Sequence, residues 1–186
     1  MNNNQTRTMA IFAILTVLMA ATRDHHFGSM LHLPDASLAI FLLAGLFLPR
    51  IALPVLLAEA GLVDYLAINF GGVSDWCFSP AYWFLIPAYA VMWYAGHFYA
   101  ARHSQSWRGL ALFTASAWLA TSASFVISSG SFYLFSGRFS GMGALQYAES
   151  MTGYYGQYLT GAFLYLSIAA CVQIAITNLS GRSARA

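Results

Sequence analysis

Residues 80–100 read PAYWFLIPAYAVMWYAGHFYA, 21 positions without one Asp, Glu, Lys or Arg. As an α-helix, such a stretch is about 30 Å long, the thickness of a bilayer's hydrocarbon core. Ser79 precedes it as a good N-cap, and Pro80 suits the first helical position, where a missing N–H is no loss. Pro87 is expected to kink the helix further in. Five more apolar runs flank this one. On the N-terminal side they cover 8–22, 36–48 and 51–68; on the C-terminal side, 109–128 and 156–177. Asp35 stands where it can cap the second run, which stops at Pro49-Arg50, and Pro54 falls in the first turn of the third. The first run ends at Arg23-Asp24-His25-His26 with no small-x-small cleavage site, so it is expected to be a retained helix rather than a signal peptide.

The expected fold is therefore an all-α integral membrane protein of six transmembrane helices, forming one domain over residues 1–186. Composition supports this. The chain is 59% hydrophobic and 8% charged, whereas soluble domains lie near 45–50% apolar and about 25% charged. Its basic residues are eight arginines with no lysine, and its net charge is only +2. Disorder and nucleic-acid binding are excluded on that balance. Cys77 and Cys171 cannot make a disulfide framework.

Arginine placement sets the orientation, because cytoplasmic loops carry the excess of positive charge. Six helices put both termini on one side. With the termini in the cytoplasm, Arg7, Arg50, Arg102, Arg108, Arg182 and Arg185 lie inside, and Arg23 and Arg138 outside. The outer side then collects Asp24, Asp35, Asp75, Glu149, His25, His26, His32 and Cys77. An outward-facing site is the expectation.

Cys77 lies just ahead of the fourth run, where helix N–H groups and dipole can lower a thiol pKa and favour metal ligation or nucleophilic attack. On position alone, a small apolar loop residue used only for packing is the plainer reading. Asp64, near the outer end of the third run, and Tyr82, in the first turn of the fourth, flank the loop that carries Cys77. An acid, a phenol and a thiol around one pocket would suit ligand binding and proton handling; an Asp–Tyr hydrogen bond tying two helix ends is the plainer account. Glu59 sits mid-helix, where a carboxylate is either functional or hydrogen-bonded between helices. His25 and His26 adjoin the first helix as a weak metal-ligand pair, and Cys171 reads as packing. Residues 129–155, rich in Gly, Ser and aromatics such as Phe132, Tyr133, Phe135 and Tyr147, are expected to form a long outer loop serving as a lid over a large apolar ligand. No P-loop, G-x-G-x-x-G, H-E-x-x-H or G-x-S-x-G motif occurs, so no recognisable means of nucleotide hydrolysis is present.

The segments Thr22-Arg23-Asp24-His25-His26-Phe27-Gly28, Leu33-Pro34-Asp35-Ala36-Ser37 and Asp75-Trp76-Cys77-Phe78-Ser79-Pro80-Ala81-Tyr82 resemble the BtuM family. These are small bacterial cobalamin transporters related to the S-components of energy-coupling-factor transporters. The resemblance implies an S-component-like bundle in the inner membrane and a periplasm-facing cobalamin pocket. It implies Cys77 as cobalt ligand, Asp64 and Tyr82 as the acid and phenol beside it, and His25 as a pocket histidine. Tyr133 and Phe135 are expected among the aromatic contacts. Removal of the cyanide ligand from cyanocobalamin is the associated chemistry, and an energy-coupling-factor module is the implied partner beside lipid. Ala10, Ala13, Ala20 and Ala21 do not supply the A-x-x-x-A spacing that many S-components carry in their first helix. Two rivals stand: a small haem-binding redox protein, which needs paired histidines at equal depth, and a non-catalytic membrane subunit.

Overall fold

The computed structural model describes residues 2–23 and 33–183, with side chains through 177. Among these residues lie six α-helices and no strand: α1 (Asn3–Arg23), α2 (Ser37–Phe47), α3 (Ala52–Phe70), α4 (Leu85–Ala100), α5 (Trp107–Phe135) and α6 (Ala144–Ser183). Short 3-10 turns, Asp75–Cys77 and Pro80–Phe84, lie between α3 and α4. Four helices, α1, α3, α5 and α6, are long and apolar enough to cross a membrane. Many of their large apolar side chains face outward, among them Val17, Leu62, Val126 and Ile174. A lipid solvent accepts such a surface, and the chain is a membrane-embedded helical protein.

The second run is the exception in length. α2 has 11 residues, a rise of about 16 Å, so it reaches only part of the way across a bilayer. It compensates by burial, since every residue from Ser37 to Gly45 is buried. Its principal partner is α4. Gly45 faces the Trp93 carbonyl and Gly96 the Leu42 carbonyl so closely that a Cβ on either glycine would collide with backbone. Small residues bring the two backbones together, the usual device where lipid removes any hydrophobic drive between helices. Phe41, Leu42, Met92 and Trp93 pack there with Met19, Leu56 and Leu166 from α1, α3 and α6. Asp35 starts α2 by accepting the Ser37 N–H at 2.9 Å and its hydroxyl at 2.6 Å.

Two expectations about local structure fail for identifiable reasons. Pro87 does not kink α4 in its interior; it occupies the helix's first turn. Having no N–H, it cannot donate to the Trp83 carbonyl, so the α-helix starts at Leu85 and the preceding turn is 3-10. The expected loop over 129–155 is mostly helix. α5 continues to Phe135 and α6 begins at Ala144, leaving only 136–143 between them. Serine and glycine are poor helix formers in water, but in a membrane a helix is the one local way to satisfy backbone polar groups. Gly137, at φ +71°, ends α5 in the left-handed conformation that favours glycine.

Hollows open at the two ends of this bundle. One lies among the end of α1, the end of α3 and the starts of α4 and α6. The other lies among the starts of α1 and α5 and the ends of α2, α4 and α6.

Candidate functional site

The first hollow holds about 340 Å³. Its polar end is organised by Arg23, the last residue of α1, which is only 7% exposed. A buried guanidinium needs a carboxylate and hydrogen-bond acceptors around it, and α3 supplies the carboxylate. Arg23 Nε donates to Asp64 Oδ1 at 2.6 Å and Nη2 to Oδ2 at 2.7 Å, a bidentate pair. Nη1 donates to Ser37 Oγ of α2 at 2.9 Å and to the Tyr89 hydroxyl of α4 at 2.8 Å. Tyr89 is itself held by a stacked Phe41, with ring centres 4.5 Å apart. Four of the five guanidinium N–H groups thus have partners among the described residues, and Arg23 lines the hollow. Tyr82 completes the group by donating to Asp64 Oδ2 at 2.6 Å.

Asp64 and Tyr82 are thus joined by the hydrogen bond that the plainer sequence reading described, but both also line the hollow, together with Cys77. Asp64 lies within α3 rather than in its last turn, because α3 runs on to Phe70. Its carboxylate faces Arg23 rather than a helix terminus. Cys77 closes the 3-10 turn Asp75–Cys77 and is exposed at its outer side. The first residue of α4 is Leu85, so no long helix dipole reaches the sulfur. Loss of water on its cavity side pushes the thiol above its ordinary value; the Arg138 guanidinium draws it back down and the Asp64 carboxylate adds to the rise. The sequence expectation of a lowered thiol pKa is therefore corrected. Arg138, from the α5–α6 connection, lies 3.9 Å over the Trp76 ring and so fastens that connection to the Cys77 turn.

The apolar walls come from α5 and α6. Phe125, Ser128, Ser129 and Phe132 line the hollow from one, Tyr147, Met151, Tyr154 and Tyr158 from the other. Both sets repeat at three- and four-residue steps, the pattern of a single helix face. Tyr133 and Phe135, expected as ligand contacts, are not on those faces. Tyr133 donates to the Met142 carbonyl at 2.8 Å, and Phe135 stacks on Phe84 with centres 4.9 Å apart. Reading 129–155 as loop hid the helical period that separates Phe132 from its neighbours. His25 and His26 lie outside the described residues. His97 and His103 belong to the opposite end of the molecule, at the end of α4 and just beyond it.

The residues that sequence reasoning missed are Arg23 and Tyr89. Arg23 was placed in an outer loop. The signal that could have found it is Asp64, since a carboxylate in an apolar run calls for a cation at the same depth.

Chemically, the site offers a soft sulfur donor, a carboxylate paired with a guanidinium, a phenol and an aromatic cleft. Among the described residues no group of three or more His, Cys, Asp or Glu side chains forms a metal-binding cluster. Compared with known proteins, the chain matches no family model and no curated sequence.

Proposed function

We propose that the protein takes up a cobalamin across the bacterial inner membrane, through six passes, the second of them helical over only 11 residues, with both termini cytoplasmic and the Cys77 hollow facing the periplasm. The observation that carries this reading is the placement of Cys77, Asp64 and Tyr82 on one hollow walled by aromatic helix faces. A corrinoid brings its cobalt with four equatorial nitrogen ligands, so a single protein sulfur is a sufficient donor set. The hollow, at about 340 Å³, is at the small end of small-molecule pockets. A corrin with its side chains exceeds it, so the ring rests with its cobalt face over the mouth, where Cys77 is exposed. His25 keeps the corrin-contact role that the family resemblance implies. An energy-coupling-factor module is the partner class of that resemblance, and the alanine spacing in α1 argues against dependence on it.

A thiol with a raised pKa still carries its proton at neutral pH. Ligation by cobalt would displace that proton, as metal binding to thiols does. With cyanocobalamin the exchange balances without a redox step: sulfur bonds to cobalt, the cobalt–cyanide bond breaks, and the thiol proton leaves with cyanide as HCN. Asp64 is already engaged by Arg23 and Tyr82. Its part is to hold the phenol and fix the local charge, not to act as a free base.

The test is the visible spectrum of purified protein mixed with cyanocobalamin. The wild type is expected to shift the corrin bands and release cyanide, while Cys77→Ala does neither and Cys171→Ala behaves as wild type. A Cys77→Ala spectrum identical to that of the wild-type complex would overturn the ligand assignment.

A further inference from the structure

The second hollow, about 850 Å³, lies at the other end of the bundle and takes no part in the reading above. It exists because α2 stops short. Below Phe47 the space between α4, α5 and α6 is left open, and Leu43, Leu46 and Phe47 of α2 roof it. Its walls are apolar: Phe113 of α5 and Leu166 and Ala170 of α6 among others. Its rim is polar and basic. Arg7 stands on one side, and His103 on another, where the Tyr99 hydroxyl lies 3.0 Å from the ring Nδ1. Trp107, 83% exposed, marks the same rim, as tryptophans do at membrane–water interfaces.

Charge makes the occupant specific. Among the described residues no Asp or Glu lines this hollow. The six acidic residues of the chain are Asp24, Asp35, Glu59, Asp64, Asp75 and Glu149, none of them in the segments 2–23, 41–54, 97–114 or 166–183 that build this end. Those segments, apart from Arg23 at the far end of α1, hold Arg7, Arg50, Arg102, Arg108 and Arg182. An apolar slot roofed mid-membrane and opening onto a basic, acid-free interface is complementary to a molecule with a hydrocarbon tail and an anionic head. We infer that this hollow binds one anionic phospholipid of the surrounding leaflet, its acyl chain under the end of α2 and its phosphate between Arg7 and His103.

Native mass spectrometry of the full-length protein, released from micelles containing either phosphatidylglycerol or phosphatidylcholine, reads this directly. The wild type is expected to retain one phosphatidylglycerol several-fold more than phosphatidylcholine. Arg7 is exposed at the start of α1, so Arg7→Gln leaves the fold intact and should abolish the preference. Ala170→Phe fills the slot and should lower retention of both lipids. Arg50→Gln, an exposed arginine outside the hollow, should behave as wild type. Equal retention of the two lipids by the wild type, or an unchanged preference in Arg7→Gln, would overturn the inference, whatever the outcome with cobalamin.

Discussion

At one end of the bundle Arg23 is buried and clasped by Asp64 at 2.6–2.7 Å, while at the other Arg7, Arg50, Arg102 and Arg108 are exposed. Both ends are rich in charge for so apolar a chain, but the charge has different work at each. The buried pair joins α1 to α3 directly, and through Ser37 and Tyr89 it also joins α2 and α4. The exposed arginines meet water and lipid headgroups and order little of the chain. Arg102 illustrates the second kind: just past the end of α4, its guanidinium sits 3.9 Å from the ring of Phe98 in that helix's last turn and, among the described residues, bridges no second helix. A charge in a membrane protein thus either organises helices from within or addresses the membrane from outside.

The largest effect should come from breaking the first kind and sparing the second. Arg23→Gln leaves the Asp64 carboxylate without its cation in a half-buried site. The expected loss is about 3–5 kcal/mol, the usual cost of removing one partner of a buried pair. Arg102→Gln should change stability by no more than about 0.5 kcal/mol, as surface substitutions do. Thermal unfolding of both variants in one detergent measures the contrast, and equal melting temperatures would erase it.

A smaller effect tests whether Tyr82 belongs to the buried group or merely touches it. Tyr82→Phe removes only the hydroxyl that donates to Asp64 Oδ2. Because the acceptor is charged, about 1.5–3 kcal/mol should be lost. Combining Tyr82→Phe with Asp64→Asn should cost less than the sum of the two single changes, since both remove the same bond. Strict additivity in that cycle would place Tyr82 outside the network.

The division between the ends was legible in the sequence as a count of arginines, and the apolar runs were legible as lengths. What the runs could not convey is depth. Arg23 closes an apolar run and reads as the first residue of an outer loop, but the helix holds it inside, level with Asp64. Residues 129–155 were misread for a related reason. Their serines, glycines and tyrosines signal a loop in water, whereas Tyr147 of α6 donates to the Ser129 carbonyl of α5 at 2.9 Å and Tyr155 of α6 lies 2.7 Å from the Ser122 hydroxyl of α5, both as interhelical hydrogen bonds. Once those residues are helical, Phe132 turns to the hollow and Tyr133 and Phe135 turn away. The convergence of Asp64 and Tyr82 followed from chain connectivity alone, because the loop between them is short.

Arg138 sits between the two kinds of charge and gives the smallest effect. It is exposed like the arginines of the opposite end, yet it stacks on Trp76 and its field lowers the neighbouring Cys77 thiol. Replacing it with Gln removes an influence that draws this thiol downward, while burial and the Asp64 carboxylate continue to push it up. The thiol should then ionise at higher pH than in the wild type. Since the thiolate is the reactive form, alkylation of Cys77 by iodoacetamide should slow at a given pH, and its rate–pH profile should move to the alkaline side. Stability should barely change, because an exposed cation–π contact is worth about 0.5–1 kcal/mol at most. Using Cys171→Ala as the background keeps the profile to one thiol. A profile that stays in place would mean that Arg138 acts on the Trp76 ring alone, and that the charge governing Cys77 is entirely the buried one.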